Sequence, residues 1–125
     1  MEIGLLVALM AKHYIFDYFV QTRYMFKDKH IYGADGGLLH AGLHGIGSFI
    51  VIWSAGLGFW PAVAIGFLLD GVLHYHIDYI KSSSMAMANP PLTPNDQQYW
   101  IMHGVDQLAH FLTYVLMCWA LINFF

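Results

Sequence analysis

The sequence predicts an all-α, integral membrane protein built as an antiparallel four-helix bundle. Hydrophobic residues make up 58% of its 125 residues and charged residues only 10%, whereas about a quarter of a soluble domain is charged. The apolar residues fall into four long runs, and each run approaches the roughly 20 residues that cross a bilayer. The connections between the runs are short, which favours antiparallel neighbours.

The first two runs are predicted to be membrane-spanning helices. The first covers about residues 3–20 and lacks the basic segment and the cleavage site of a signal peptide. The second covers about residues 38–57, the length that a bilayer needs. Its small residues Ala41, Gly45 and Ser48 recur every three or four positions, which lets a neighbouring helix approach closely.

The third and fourth runs begin with recognisable start signals. A helix predicted over about 61–81 has proline at its first position, where the missing N–H costs nothing. Thr93 and Asp96 belong to a capping sequence that opens a fourth helix over about 94–123. The chain 1–125 is therefore predicted to form a single four-helix transmembrane domain.

The basic residues predict how this domain is oriented. The first and third connectors carry Arg23, Lys27, Lys29 and Lys81, whereas the second connector and the C-terminus carry no lysine or arginine. The positive-inside rule then places these two connectors in the cytoplasm and both termini outside. Lys12 lies inside the first run, and we expect its side chain to snorkel to the interface.

Ten histidines and aspartates are predicted to share one depth. They are His13, Asp17, His40, His44, Asp70, His74, Asp78, His103, Asp106 and His110. Within each helix they recur at the three- or four-residue spacing that places side chains on one face. In the antiparallel arrangement all of them fall in the cytoplasmic half. Because unpaired charges inside a bilayer are costly, we predict that they meet and bind metal.

The donor set indicates which metal. Imidazole and carboxylate ligands without an available thiolate favour Zn²⁺, with Mn²⁺ or Fe²⁺ as alternatives. The one cysteine, Cys118, lies in an apolar run and is expected to be a buried thiol. Four aspartates carry a charge of −4, which two divalent cations would balance: Asp17, Asp70, Asp78 and Asp106. One ion surrounded by Asp–His pairs is the alternative.

Several of these residues also have structural interpretations. Asp70, His74 and Asp78 would form a hydrogen-bonded network without any ion. The pair His40 and His44 would be core histidines bonded to a carbonyl or would bind haem, although four nearby carboxylates disfavour an axial haem role. His103 lies near the membrane surface, where it would be solvated. His76 points away from His74 by helical geometry, so we expect it to serve packing.

The motifs together resemble the DUF3307 family of small membrane proteins from bacteria and their phages. The resemblance covers nearly the whole chain and implies a four-helix protein of the bacterial inner membrane. The matching residues are His13, Asp17, Gln21, His40, His44, His74, Asp78, Lys81, Asp106, Gln107 and His110. The chain is more loosely similar to the DUF457 group of membrane-bound metal-dependent hydrolases, which share His/Asp motifs.

Two classes of function follow from these observations. In a metal-dependent hydrolase, a bound ion would lower the pKa of a coordinated water and a nearby base would accept its proton. Asp78, Asp106 and Lys81 are the catalytic candidates, and the basic first connector suits a phosphate-bearing or lipid substrate. The alternative is a non-catalytic metal protein, either a transporter or a structural metal bundle, and a homo-oligomer is compatible with both. The net charge of −3 argues against a nucleic-acid partner.

Overall fold

The chain is all-helical, as the sequence predicts. A computed structural model describes residues 2–125, and no strand occurs within that range. Six α-helices follow one another: α1 (Glu2–Ile15), α2 (Arg23–Phe26), α3 (Asp35–Ser54), α4 (Phe59–Pro61), α5 (Gly71–Met87) and α6 (Gln97–Phe124).

Two π-helical segments join these elements into four long helices. Phe16–Val20 extends α1 to form the first long helix, and α3 is the second. Ala62–Asp70 connects α4 to α5, so the third long helix covers 59–87, and α6 is the fourth. π-helical turns are rare and occur frequently at functional sites.

Three of the long helices are able to cross a membrane. Within the described residues, Ile3–Val20, Asp35–Ser54 and Gln97–Phe124 are long and apolar enough to do so. The chain is therefore expected to associate with a membrane. The third long helix is not among them, and it carries Asp70, Asp78 and Lys81 along its length.

The four long helices pack as a ring of neighbours. The first contacts the second and the fourth, and the third contacts the same two. Glycines bring the second and third helices together most closely. A Cβ atom added at Gly45 would lie 2.6 Å from the backbone oxygen of Phe67, and one added at Gly66 would lie 2.7 Å from the backbone nitrogen of Phe49. Neither position has room for a side chain.

An apolar core fills one end of the ring. It combines residues from all four long helices: Leu5, Leu9, Ile52, Ala62, Tyr114, Met117, Cys118 and Leu121. The start of the first helix thus lies beside the ends of the second and fourth. We call this end the apolar half.

The helix ends differ from the predicted ones for local reasons. The second helix ends at Ser54 rather than near 57, because Gly56 and Gly58 adopt φ angles of +79° and +97° in the connection. The third continues to Met87 rather than 81. Its Ser83 hydroxyl donates to the backbone oxygen of Tyr79 at 2.7 Å, a bond that accommodates serine within a helix.

The fourth helix begins at Gln97, three residues later than predicted. Thr93 donates from its backbone N–H and its hydroxyl to the carboxylate of Asp96, at 2.7 and 2.8 Å, in a turn before the helix. These hydrogen bonds lower the pKa of Asp96. The capping sequence is therefore used as a turn that leads into the helix.

Candidate metal centre

Four side chains from three helices converge on one point. Asp17 lies in the first π-helical segment, His40 and His44 in α3, and His74 in α5. Asp17 Oδ1 is 3.2 Å from His40 Nε2 and 3.2 Å from His44 Nε2. His74 Nε2 is 3.9 Å from that oxygen and 3.1 Å from His40 Nε2. Donor atoms around a tetrahedral zinc ion are about 3.3 Å apart, so this spacing fits one ion.

Unpartnered atoms in this group support the same interpretation. Asp17 Oδ1 and His44 Nε2 are buried and make no hydrogen bond, although only 3.2 Å separates them. Buried polar atoms in proteins nearly always have a partner. A cation between these two atoms would satisfy both of them. We call Asp17, His40, His44 and His74 the metal group.

A second group shares His74 with the first. It contains His74, Asp78 and His110, whose candidate ligand atoms lie within 4.8 Å of one another. The His110 ring nitrogen Nδ1 is 2.8 Å from the backbone oxygen of Asp106, and Nε2 is buried without a partner. A backbone carbonyl that accepts from one ring nitrogen orients the other as a metal ligand.

Two buried lysines and one half-buried lysine change the charge of the site. Lys12 pairs with Asp70 at 2.8 Å, Lys29 with Asp78 at 2.5 Å, and Lys81 with Asp106 at 3.0 Å. The exposed fractions of these lysine side chains are only 5%, 6% and 18%. They offset three of the four negative charges, so with neutral histidines a net charge of −1 remains.

This pairing corrects two expectations from the sequence. The prediction that Lys12 snorkels to the interface is wrong, because its ammonium group is buried against Asp70 and lies 3.3 Å from both the backbone oxygen and Nδ1 of His44. The charge argument for two ions fails as well. The four aspartates and three lysines leave a net charge of −1, and the charge of a single divalent cation already exceeds it.

Six of the ten predicted ligands belong to the two groups, and four lie elsewhere. His13 lies next to the metal group, with Nε2 3.1 Å from Asp17 Oδ2. Asp70 accepts from Lys12 and, at 2.6 Å, from Ser48. Asp106 accepts from Lys81.

His103 and His76 belong to neither group. His103 is half-buried, and its Nε2 atom is 3.4 Å from the Tyr18 hydroxyl. His76 is exposed and bonds the backbone oxygen of Val72 at 2.7 Å, as expected for a residue outside the site.

A cavity of about 370 Å³ reaches the centre from the end that carries the first and third connectors. Asp17 and Asp78 form its inner wall. Three lysines line it: Lys27, Lys29 and Lys81. Apolar side chains line it as well, among them Phe26, Met85 and Leu92. The cavity therefore combines positive charge with apolar surface beside the metal group.

Sequence reasoning missed the lysine partners and their surroundings. A lysine inside an apolar run was a visible signal for Lys12. Lys29 gives no such signal in the sequence. It meets its partner Asp78 only because the first connector folds over the site. The small-residue spacing predicts a packing role for Ser48, yet its hydroxyl donates to Asp70.

The comparisons with known proteins identify a family without an assigned activity. The DUF3307 family model, described as a protein of unknown function, matches residues 5–124. No curated protein and no solved structure matches the chain.

Proposed function

The chain belongs to the DUF3307 family, and we propose that it is a metal-dependent hydrolase embedded in a membrane. In this proposal the metal group holds one Zn²⁺ per chain, with Mn²⁺ or Fe²⁺ as alternatives. The substrate is a phosphate-bearing molecule or a lipid. The observation that carries the proposal is the cavity, because it gives a substrate access to Asp17 and Asp78.

The surface supports an integral membrane, antiparallel four-helix bundle. Large apolar side chains on all four long helices are more than half exposed, including Val7, Ile50, Val72 and Leu112. Soluble monomers rarely expose so much apolar surface, whereas lipid would cover it. The third helix would then cross the membrane with its charged residues turned towards its neighbours, as buried charges in membrane proteins do.

The orientation rests on fewer residues than the sequence suggested. Lys29 and Lys81 are paired with carboxylates inside the protein, whereas Arg23 and Lys27 are exposed at the end where the cavity opens. We propose that this end faces the cytoplasm of a bacterial inner membrane, with both termini outside.

The side chains that line the cavity suggest a role for each of them in the proposed hydrolysis. A bound ion would polarise a phosphoryl oxygen and activate a water molecule. Asp78 lies on the cavity wall and would accept a proton from that water. Lys81, held by Asp106 at 3.0 Å, would contact an anionic oxygen of the substrate. The side chains of Phe26 and Met85 would hold an apolar part of the substrate.

The non-catalytic alternatives have less support. A transporter needs polar residues along its whole path, but the fully buried side chains of Leu9, Ile52 and Met117 close the apolar half. A structural metal site is normally closed by protein ligands. The metal group would also supply four protein ligands, but its Asp17 lines an open cavity, so water or a substrate oxygen would reach the ion and expand its coordination to five, as occurs in catalytic zinc sites.

The test begins with the zinc content of the protein purified in detergent, measured by mass spectrometry. We expect one zinc ion per chain in the wild type and in His76→Ala, and none in His44→Ala. Phosphate release from p-nitrophenyl phosphate and from phosphatidic acid is then measured. Release by the wild type but not by His44→Ala supports the hydrolase. Bound zinc without release from either compound refutes the hydrolase and keeps the metal centre, and absence of zinc refutes both.

A further inference from the structure

A continuous series of hydrogen bonds leads from the buried Lys12 to Asp17. Lys12 Nζ is 3.2 Å from the hydroxyl oxygen of Tyr114, and that oxygen is 3.0 Å from His13 Nδ1. His13 Nε2 is 3.2 Å from Gln107 Oε1, and Gln107 Nε2 is 3.2 Å from Asp17 Oδ2. The series joins the first and fourth long helices.

Lys12 and the buried hydroxyl of Tyr114 together set the direction of the hydrogen bonds in the series. An ammonium group only donates, so the Tyr114 oxygen accepts from Lys12. The hydroxyl proton of a fully buried tyrosine nearly always has an acceptor, and among the described contacts that acceptor is His13 Nδ1 at 3.0 Å, so Nδ1 is unprotonated. A neutral imidazole carries its one proton on the other nitrogen, so His13 Nε2 donates to the Gln107 carbonyl.

The last bond fixes the carboxylate of Asp17. Because Gln107 accepts with its oxygen, its amide nitrogen faces Asp17 and donates to Oδ2. The other carboxylate oxygen, Oδ1, is left without a hydrogen bond and faces His40 and His44 at 3.2 Å. This is the oxygen that the metal group requires.

We propose that Tyr114, His13 and Gln107 are positioning residues that hold Asp17 as a metal ligand. His13 Nε2 also lies 3.1 Å from Asp17 Oδ2, so His13 orients this carboxylate directly as well as through Gln107, and it does not itself bind the ion. Hydrogen-bonded partners of this kind orient metal ligands and commonly change metal affinity 10- to 100-fold. The inference rests on the proposed metal centre but not on its hydrolytic activity.

The start of the series is firmly anchored. Lys12 is held by Asp70 at 2.8 Å, and Asp70 also accepts from Ser48 at 2.6 Å. Gly47 makes room for the lysine: a Cβ atom there would lie 2.9 Å from Lys12 Cδ. The anchor connects three long helices, so the orientation of Tyr114 is set by the fold.

The first experiment removes single hydrogen bonds and measures zinc affinity by competition with a chelator. Tyr114→Phe deletes one hydroxyl from a fully buried ring, and Tyr14→Phe deletes an exposed hydroxyl on the first helix as its control. We expect roughly a tenfold or greater loss of affinity for Tyr114→Phe and no change for the control. Cobalt-substituted Tyr114→Phe should also show an altered visible spectrum, because the ligand geometry changes.

A second pair of variants tests the proposal even if Tyr114→Phe does not fold. Gln107→Met removes the amide that donates to Asp17, and the exposed Gln98→Met is its control on the same helix. Wild-type affinity and an unchanged cobalt spectrum in both Tyr114→Phe and Gln107→Met would overturn the proposal.

Nitrogen NMR of the metal-free protein tests the direction of the series separately. We expect His13 to carry its proton on Nε2, with Nδ1 unprotonated, and we expect this preference to weaken in Tyr114→Phe. A proton on Nδ1 in the wild type would overturn the series whatever the zinc content. A wild-type protein that binds no zinc refutes the metal centre, and therefore the role of these residues in it, even if the tautomer is as expected.

Discussion

The two halves of the four long helices are built on different physical principles. In the apolar half, side chains such as Leu9, Ile52 and Met117 are fully buried against one another. In the other half, which we call the polar half, the buried side chains are mainly imidazoles, carboxylates and ammonium groups: His13, His40, His44, His74, Asp78, Asp106, His110, Lys29 and, at its inner limit, Lys12 and Asp70.

This difference indicates which half was selected for stability. Burial of apolar side chains stabilises a fold directly. Replacing buried ion pairs by well-packed apolar residues is often neutral or stabilising. The polar half is thus a costly way to build a helix bundle, and a binding or catalytic role explains its composition better than stability does.

The largest expected effect is on zinc binding, which a substitution in the polar half should abolish and one in the apolar half should not. Asp17→Ala should abolish zinc binding, because it removes the only carboxylate of the metal group. Leu9→Ala, in the apolar half, should keep one zinc ion per chain. Elemental analysis of both purified variants measures this. Equal zinc in the two variants would show that the polar half is not the metal site.

The second prediction concerns stability, measured by unfolding in mixed detergent micelles. Leu9→Ala should lower the free energy of unfolding by about 2–5 kcal/mol with or without zinc. Free zinc at 100 times its Kd should stabilise the wild type by about 2.7 kcal/mol and Asp17→Ala not at all. If zinc stabilised Asp17→Ala as much as the wild type, the ion would bind elsewhere.

The convergence of Asp17, His40, His44 and His74 was predictable from the sequence, whereas the charge balance of the site was not. Helical spacing and antiparallel packing placed His40, His44, His74 and Asp17 together. Asp70 lies two turns from Asp78 on the same helix, about 12 Å along the axis, so the two cannot both bind one ion.

The lysine partners depend on details that helical periodicity does not contain. Lys12 reaches Asp70 only because Gly47 leaves space for its stem. The π-helical segments that hold Asp17 and end at Asp70 also change the number of residues per turn. A helical projection with 3.6 residues per turn cannot anticipate them.

A smaller effect is expected where the two halves meet. Gly66→Ala would place a methyl group 2.7 Å from the backbone of Phe49, so the second and third helices must separate. We expect a loss of about 1–3 kcal/mol in the free energy of unfolding. Gly42→Ala is the control, since nothing lies within 4 Å of its added methyl group, and it should gain up to about 1 kcal/mol from helix propensity. Equal stability of the two variants would contradict the close contact.

The smallest effect is expected at the surface. Lys27 and Asp28 form an ion pair at 3.5 Å in which both side chains are exposed. Asp28→Asn should change the free energy of unfolding by less than about 1 kcal/mol and leave the zinc content unchanged. A larger loss would mean that exposed charges stabilise the polar half as much as the buried pairs do.

The most direct test of the central claim is anomalous X-ray diffraction at the zinc edge from crystals of the zinc-loaded protein. We predict one strong peak per chain, about 2.0–2.2 Å from a carboxylate oxygen of Asp17 and from ring nitrogens of His40, His44 and His74. A peak at any other location, or none at all in zinc-soaked crystals, would contradict the account.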